Sequence, residues 1–158
     1  MNLFPSKSIK KTSIFTIFAV FSAFLGIFST SSCSKSGASE KEQMISFAQK
    51  NNITYTEDAS GILYQIIAAG TGTKPAVTNT VTVTYTGTLM NGTTFDAGTI
   101  SYPLSSLIQG WQIAVPKIAP GGEIKVLIPS SLAYGSQSVG SIPANSPLYF
   151  DIKLSAVK

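Results

Sequence analysis

Asp96, Tyr85, Tyr134 and Trp111 are the side chains of this sequence whose settings could support chemistry. Asp96 follows Phe95 directly after the hairpin signal Asn91-Gly92, in an apolar context. A paired-carboxylate hydrolase would need a second acid close by. The other acids of the strand region, Glu123 and Asp151, read as solvated surface charges. Serine nucleophiles have no base unless lysine serves, and neither a Gly-X-Ser-X-Gly elbow nor a phosphate-binding glycine loop is present. Aromatic residues are the more abundant resource: Tyr85, Phe95, Tyr102, Trp111, Tyr134, Tyr149 and Phe150 all lie in the second half. Core packing is the usual role of a strand aromatic. Trp111, beside Gly110, and Tyr134, within a long loop, fit that role less well. Together they suggest an apolar cup with a few hydroxyls and one carboxylate at its rim.

Composition narrows the chemistry further. The 158 residues are 44% hydrophobic and only 11% charged. Lysine supplies all 11 basic residues, histidine is absent and there is one cysteine. A histidine triad, a histidine base and a histidine-ligated metal are therefore excluded, as is an intramolecular disulfide. One thiol cannot build a structural zinc site, and no arginine is available for bidentate clamps. No metal and no cofactor are expected.

The elements that must position these residues are mostly strands. Glu40 to Lys50 reads as a short amphipathic helix, with Met44, Ile45, Phe47 and Ala48 on one stripe and acids in its first turn. Ile62 to Ala69 is an apolar run ending at Gly70-Thr71-Gly72. Val81, Val83 and Tyr85 alternate with threonines, and Thr93-Thr94-Phe95 returns from the Asn91-Gly92 turn. Leu104 to Ile113 could hold a short helix that Pro116 stops. Glu123 to Pro129 is a further strand and Ser130 to Pro147 a long surface loop. Leu148, Phe150, Ile152 and Leu154 share one face of the final strand, opposite Tyr149, Asp151 and Lys153. The pattern predicts an α+β domain whose antiparallel sheet has one covered face.

The first 33 residues have a different logic. Lys7, Lys10 and Lys11 precede an apolar run from Ile14 to Phe28, then small residues, then Cys33. This is the layout of a secretory signal, and the run is shorter than the roughly 20 residues that span a bilayer. The competing reading is a retained N-terminal anchor, against which the small-residue stretch argues. Thr30-Ser31-Ser32-Cys33 resembles a bacterial lipoprotein box, although leucine is commoner at the position of Thr30. Cys33 would then be the lipidated N-terminus, anchoring the protein through acyl chains. Without the three leader lysines, eight basic residues face seven acidic ones. No basic patch remains for nucleic acid. The expected organisation is a lipoprotein signal peptide at 1–32, a tether at 33–39, a helical extension at 40–60 and the folded domain at 61–158.

Several segments, taken in order, carry a resemblance. Val83-Thr84-Tyr85-Thr86-Gly87, Asn91-Gly92-Thr93-Thr94-Phe95-Asp96 and Leu107-Ile108-Gln109-Gly110-Trp111 are similar to the FK506-binding family of peptidyl-prolyl isomerases. Gly121-Gly122, Ile128-Pro129, Leu132-Ala133-Tyr134-Gly135, Ile142-Pro143 and Leu148-Tyr149-Phe150-Asp151-Ile152 continue the pattern. The resemblance covers about Thr80 to Lys158 and extends weakly back to about Gly61.

It implies an FKBP-like twisted antiparallel sheet wrapped around one short helix, with the N-terminal helix outside it. Trp111 would form the pocket floor, with Tyr85, Phe95, Leu107, Ile108 and Phe150 as walls and Ile142 on the loop side. Tyr134 would donate to a substrate carbonyl, and Asp96 would bond to Tyr85 and face the reacting amide. Tyr134, Asp96 and Tyr85 are thus the implied catalytic residues. The Asp96–Tyr102 loop is several residues shorter than usual, and a further wall position falls at Ile100 or Tyr102. Implied partners are proline-containing unfolded or exported proteins, with FK506-like macrolides as inhibitors, in the bacterial cell envelope and facing the periplasm. Competing readings are an FKBP-fold chaperone or binding module with little isomerase activity, and a structural outer-membrane lipoprotein whose helix pairs with a partner. The oligomeric state stays open.

Overall fold

The computed structural model describes residues 39–158; the expected leader and Cys33 lie outside the described residues. Helix α1 (Glu40–Lys50) begins at a capping box. Ser39 Oγ accepts the Glu42 N–H at 3.2 Å, and Glu42 Oε2 accepts the Ser39 N–H at 2.7 Å. Each bond satisfies a backbone donor that a helix start leaves without an intrahelical partner. Asn51 ends the helix by donating its side-chain amide to the Phe47 carbonyl at 2.8 Å. Met44, Phe47 and Ala48 are its buried stripe.

Six strands follow: β1 (Thr56–Glu57), β2 (Leu63–Ala68), β3 (Thr80–Leu89), β4 (Thr94–Pro103), β5 (Glu123–Ile128) and β6 (Leu148–Val157). They form one antiparallel sheet in the order β1-β2-β5-β6-β3-β4. The turn between β3 and β4 contains Gly92 at φ +93°, a conformation that favours glycine. Val81 and Val83 of β3, Ile124, Val126 and Ile128 of β5, and Leu148, Phe150, Ile152 and Leu154 of β6 share one core. Trp111, Ala114 and Val115 close it from the helical side. Burying each such aliphatic side chain contributes about 1.5–3 kcal/mol before entropy is counted.

The sheet is covered on both faces, not one. Met44, Phe47 and Ala48 of α1 form a second core with Ile53, Leu63 and Leu127, against which Tyr149 packs. The period-two alternation of a strand explains this division. Leu127 faces α1 while its neighbours Val126 and Ile128 face the main core, and Tyr149 and Phe150 divide in the same way.

Two further segments depart from expectation. Leu104 to Ile113 is not one helix. A 3₁₀ turn (Leu104–Ser106) is followed by extended backbone at Leu107 and then by α2 (Gln109–Ala114). The Gln112 side-chain amide donates to the Leu107 carbonyl at 2.8 Å and to that of Ser105 at 3.3 Å, satisfying groups that the break frees. Gly110 lets α2 lie close to the sheet, since a Cβ there would come within 2.4 Å of Ile128 Cγ2. A 3₁₀ turn (Val115–Lys117) containing Pro116 ends this helical stretch.

The Asp96–Tyr102 segment is strand rather than loop. It pairs with β3 from Thr80↔Pro103 to Gly87↔Asp96. Cross-strand hydroxyl bonds of 2.8 Å (Thr84 to Thr99) and 3.1 Å (Thr82 to Ser101) tie it down.

Lys117 anchors the turn before β2. Its Nζ lies 2.7 Å from Asp58 Oδ2 and 4.6 Å from the centre of the Tyr64 ring. The bond from Lys117, with further donation from Ser60, lowers the Asp58 pKa from 3.8 to about 2. A depressed carboxyl pKa stabilises the fold above the ordinary value and ceases to do so as pH falls through the folded value. Asp58→Asn should therefore lower the urea midpoint at pH 7. That difference should shrink between pH 4 and pH 2, as urea titrations at stepped pH would show.

Candidate active site

Asp96 and Phe95 are consecutive, yet both line one cavity. A regular strand would turn them to opposite faces. The register of β3 with β4 shifts between Gly87↔Asp96 and Thr88↔Thr94, leaving Phe95 as an extra residue. Such a bulge re-aims side chains at the edge of a sheet. Asp96 Oδ2 accepts the Tyr85 hydroxyl at 2.5 Å, across the β3–β4 pair.

The cavity has a volume of about 240 Å³. Phe95, Asp96 and Ile100 reach it from β4, Tyr85 from β3 and Phe150 from β6. Ser106, Leu107 and Ile108 line it from the break before α2, Trp111 from α2 itself, and Tyr134 from the long loop after β5. The rings meet edge to face. Trp111 and Phe150 are 5.2 Å apart at 90°, Phe95 and Phe150 5.6 Å apart at 90°, and Tyr85 and Trp111 5.1 Å apart at 79°. Such geometry places positive ring edges on negative ring faces.

The polar groups are two phenols and one carboxylate. Burial, then the bond to Asp96, pushes the Tyr85 pKa up to about 12. Burial raises that of Tyr134 as well, reinforced by the negative charge of Asp96. Both hydroxyls therefore stay protonated at neutral pH. Tyr85 donates to Asp96, whereas Tyr134 makes no such bond to it, so its O–H can be offered to a guest. The Trp111 indole N–H is buried without a protein acceptor.

This arrangement meets an independent comparison. The sequence pattern of FKBP-type peptidyl-prolyl cis-trans isomerases matches residues 71–155. The chain belongs to that family. It is 42% identical over 123 residues to the FKBP-type isomerase FkpA of Aeromonas hydrophila, covering 75% of this chain and 45% of that one. It is 47% identical over 105 residues to the outer membrane protein MIP of Legionella longbeachae, covering 63% and 45% of the two chains. The crystal structure of FkpA from Escherichia coli superposes with a TM-score of 0.69 at 39% identity, over 75% of this chain and 57% of that one. The chain spans about half the length of the curated relatives it matches.

Of the site residues expected in this FKBP-family chain, nine fall in the described region, and the cavity gathers all of them except Ile142. Ile142 is buried in the core shared by Trp111 and Phe150, and its N–H donates to the Val139 carbonyl at 2.9 Å. It packs in that core and is not among the residues that line the cavity. Ile100 takes the further wall position, and Tyr102 is 54% exposed. Ser106 gave no sequence signal. It reaches the cavity because the chain breaks at Leu107, and its Oγ donates to the Pro103 carbonyl at 2.7 Å.

Asp151 differs from the surface charge expected of it. It is half-buried on the other side of β6, and its carboxyl pKa is raised by burial and then by Glu123. Its Oδ1 is buried without a hydrogen bond.

Gly87 is needed by the rings above it. A Cβ there would lie 2.6 Å from Phe95 Cζ and 2.8 Å from Phe150 Cε1. Gly87→Ala should cost about 1–3 kcal/mol by overpacking. Urea unfolding followed by Trp111 fluorescence checks this, and an unchanged midpoint would mean that the rings yield freely.

Proposed function

We propose that this protein accelerates cis/trans isomerisation of Xaa-Pro bonds in exported or unfolded proteins. The observation that carries the reading is the cavity itself: four packed aromatic rings beside one carboxylate and a phenol free to donate. Amide rotation is opposed by a resonance barrier of about 18–20 kcal/mol. Water favours the planar, charge-separated amide, whereas an apolar cavity favours the twisted state, whose carbonyl is less polar. The prolyl ring would rest on Trp111 between Phe95, Leu107, Ile108 and Phe150. Tyr134 would donate to a substrate carbonyl and keep its orientation fixed. Asp96, held by Tyr85, would face the turning amide. Each tenfold of rate needs about 1.4 kcal/mol of preferential transition-state binding. Five powers of ten would need about 7 kcal/mol, which desolvation with one or two hydrogen bonds can supply.

The intact wall favours this reading over a client-holding module. The short segment after Asp96 does not open the cavity, because Ile100 on β4 fills the position. A protease-coupled assay with a Leu-Pro or Phe-Pro peptide tests it. Tyr134→Phe should slow turnover roughly three- to tenfold, the worth of about one hydrogen bond. Asp96→Ala should also slow it while the domain stays folded by circular dichroism. Wild-type protein that neither accelerates the peptide nor responds to FK506 would refute the proposal.

The working location inferred is the bacterial envelope, in keeping with a relative named as an outer membrane protein. The organisation inferred is a leader at 1–32, lipidated Cys33 opening a tether to residue 39, an extension at 40–60 and the isomerase domain at 61–158. Among the described residues no helix is long and apolar enough to cross a membrane, and the attachment proposed is through the lipid. In a bacterial host, Cys33→Ala should abolish labelling by a fatty-acid analogue and release the protein from the membrane fraction. Equal labelling of the two proteins would count against the anchor.

A further inference from the structure

Helix α1 and the cavity lie on opposite faces of the sheet, yet one side chain links them. Glu40, the first residue of α1, accepts the Ser130 N–H at 2.7 Å through Oε2 and the Ser130 hydroxyl at 2.6 Å through Oε1. Ser130 is buried and follows Pro129 at the end of β5. Its carbonyl accepts two further bonds, from the Ala133 N–H at 2.9 Å and the Gly135 N–H at 2.8 Å. Those two residues flank Tyr134. All three polar groups of Ser130 are thus engaged, two by Glu40 and one by the backbone on either side of the cavity's phenol.

We infer that Glu40 is a positioning residue for Tyr134, acting through Ser130, so that the N-terminal helix sets the geometry of the cavity. Three observations carry this. The capping of α1 is complete without Glu40, because Ser39 and Glu42 supply it, so the carboxylate is available for another task. The contact joins residues 90 apart in sequence and engages both carboxylate oxygens, a geometry that restricts rotation as well as distance. The segment it holds has little regular structure of its own. The 3₁₀ turn Ser130–Leu132 lacks a side-chain cap, Ala133 sits at φ −122°, ψ −108°, and Gly135 has positive φ. Such backbone persists where its surroundings define it. Meanwhile α1 is held to the sheet by Met44, Phe47 and Ala48, which makes it a firm base for the carboxylate.

The inference rests on the isomerase reading only in making Tyr134 the substrate's donor; the placement of the loop can be tested without it. In the full chain, amide shifts and hydrogen exchange of Ala133, Tyr134 and Gly135 would be compared between wild type and Glu40→Gln, with Asp96–Gly98 as the internal reference. The expected result is displaced resonances and at least roughly tenfold faster exchange at Ala133 and Gly135, with the reference unchanged. Ser130→Ala should alter the same amides, and combining the two substitutions should add less than their sum, since they share one contact. Turnover of an Xaa-Pro peptide should fall more than KM changes in Glu40→Gln. Amides at 133–135 that match wild type, even in a less stable protein, would overturn the inference and leave Glu40 as a fastener of α1. An inactive wild type with displaced loop amides in the variant would refute the isomerase reading while upholding the positioning. Should Glu40→Gln fail to fold, Glu40→Asp, which draws the carboxylate back by one methylene, gives the same comparison.

Discussion

Phe150 packs against three other rings, with centroid separations of 5.2 Å to Trp111, 5.6 Å to Phe95 and 6.3 Å to Tyr85. Each partner arrives on a different element, so this one side chain holds β3, β4 and α2 in common alignment. It is 3% exposed and serves both as core and as cavity wall. The bulge at Phe95, the bare Cα of Gly87 and the close approach of α2 at Gly110 all make room for these rings. Firm packing would matter for the proposed isomerisation because a shallow or mobile cup would admit water, and water favours the planar amide. A site that works by shape and dryness must be built from residues that cannot move apart.

Much of this was legible in the sequence where the signal is local. The acids and buried stripe of α1, the alternation of β3 and β6, and the Asn91-Gly92 turn each depend on neighbours a few residues away. What escaped depends on distant partners. Whether Asp96–Tyr102 runs as a loop or a strand is decided by β3, whose threonines bond to Thr99 and Ser101. The bulge at Phe95 is a matter of register, which a single strand's pattern does not carry. The second covered face followed from α1 docking over Leu63 and Leu127, elements that read separately as ordinary. Resemblance places Ile142 on the site, whereas its side chain is buried in the core beside Trp111 and Phe150 and does not line the cavity. No pattern along the chain pairs Glu40 with Ser130.

The polar chemistry is correspondingly sparse. Burial holds both phenols in the protonated form, and the carboxylate beside them is held by one of the two. In the proposed isomerisation, a few donors in an apolar cup would discriminate between amide geometries that differ only in how charge is spread.

The order of strands has a consequence for how the molecule is made. β6 is the last of the six in the chain but lies between β5 and β3, the middle of the sheet. Both cores draw on it, through Phe150 on one face and Tyr149 on the other. Until β6 is in place, β3 and β5 lack the partner that lies between them, and the main core lacks Leu148, Phe150, Ile152 and Leu154. The two halves of the sheet, β1-β2-β5 and β3-β4, join only through β6, whose contacts with β3 are among the longest-range in the molecule and hence slow to form.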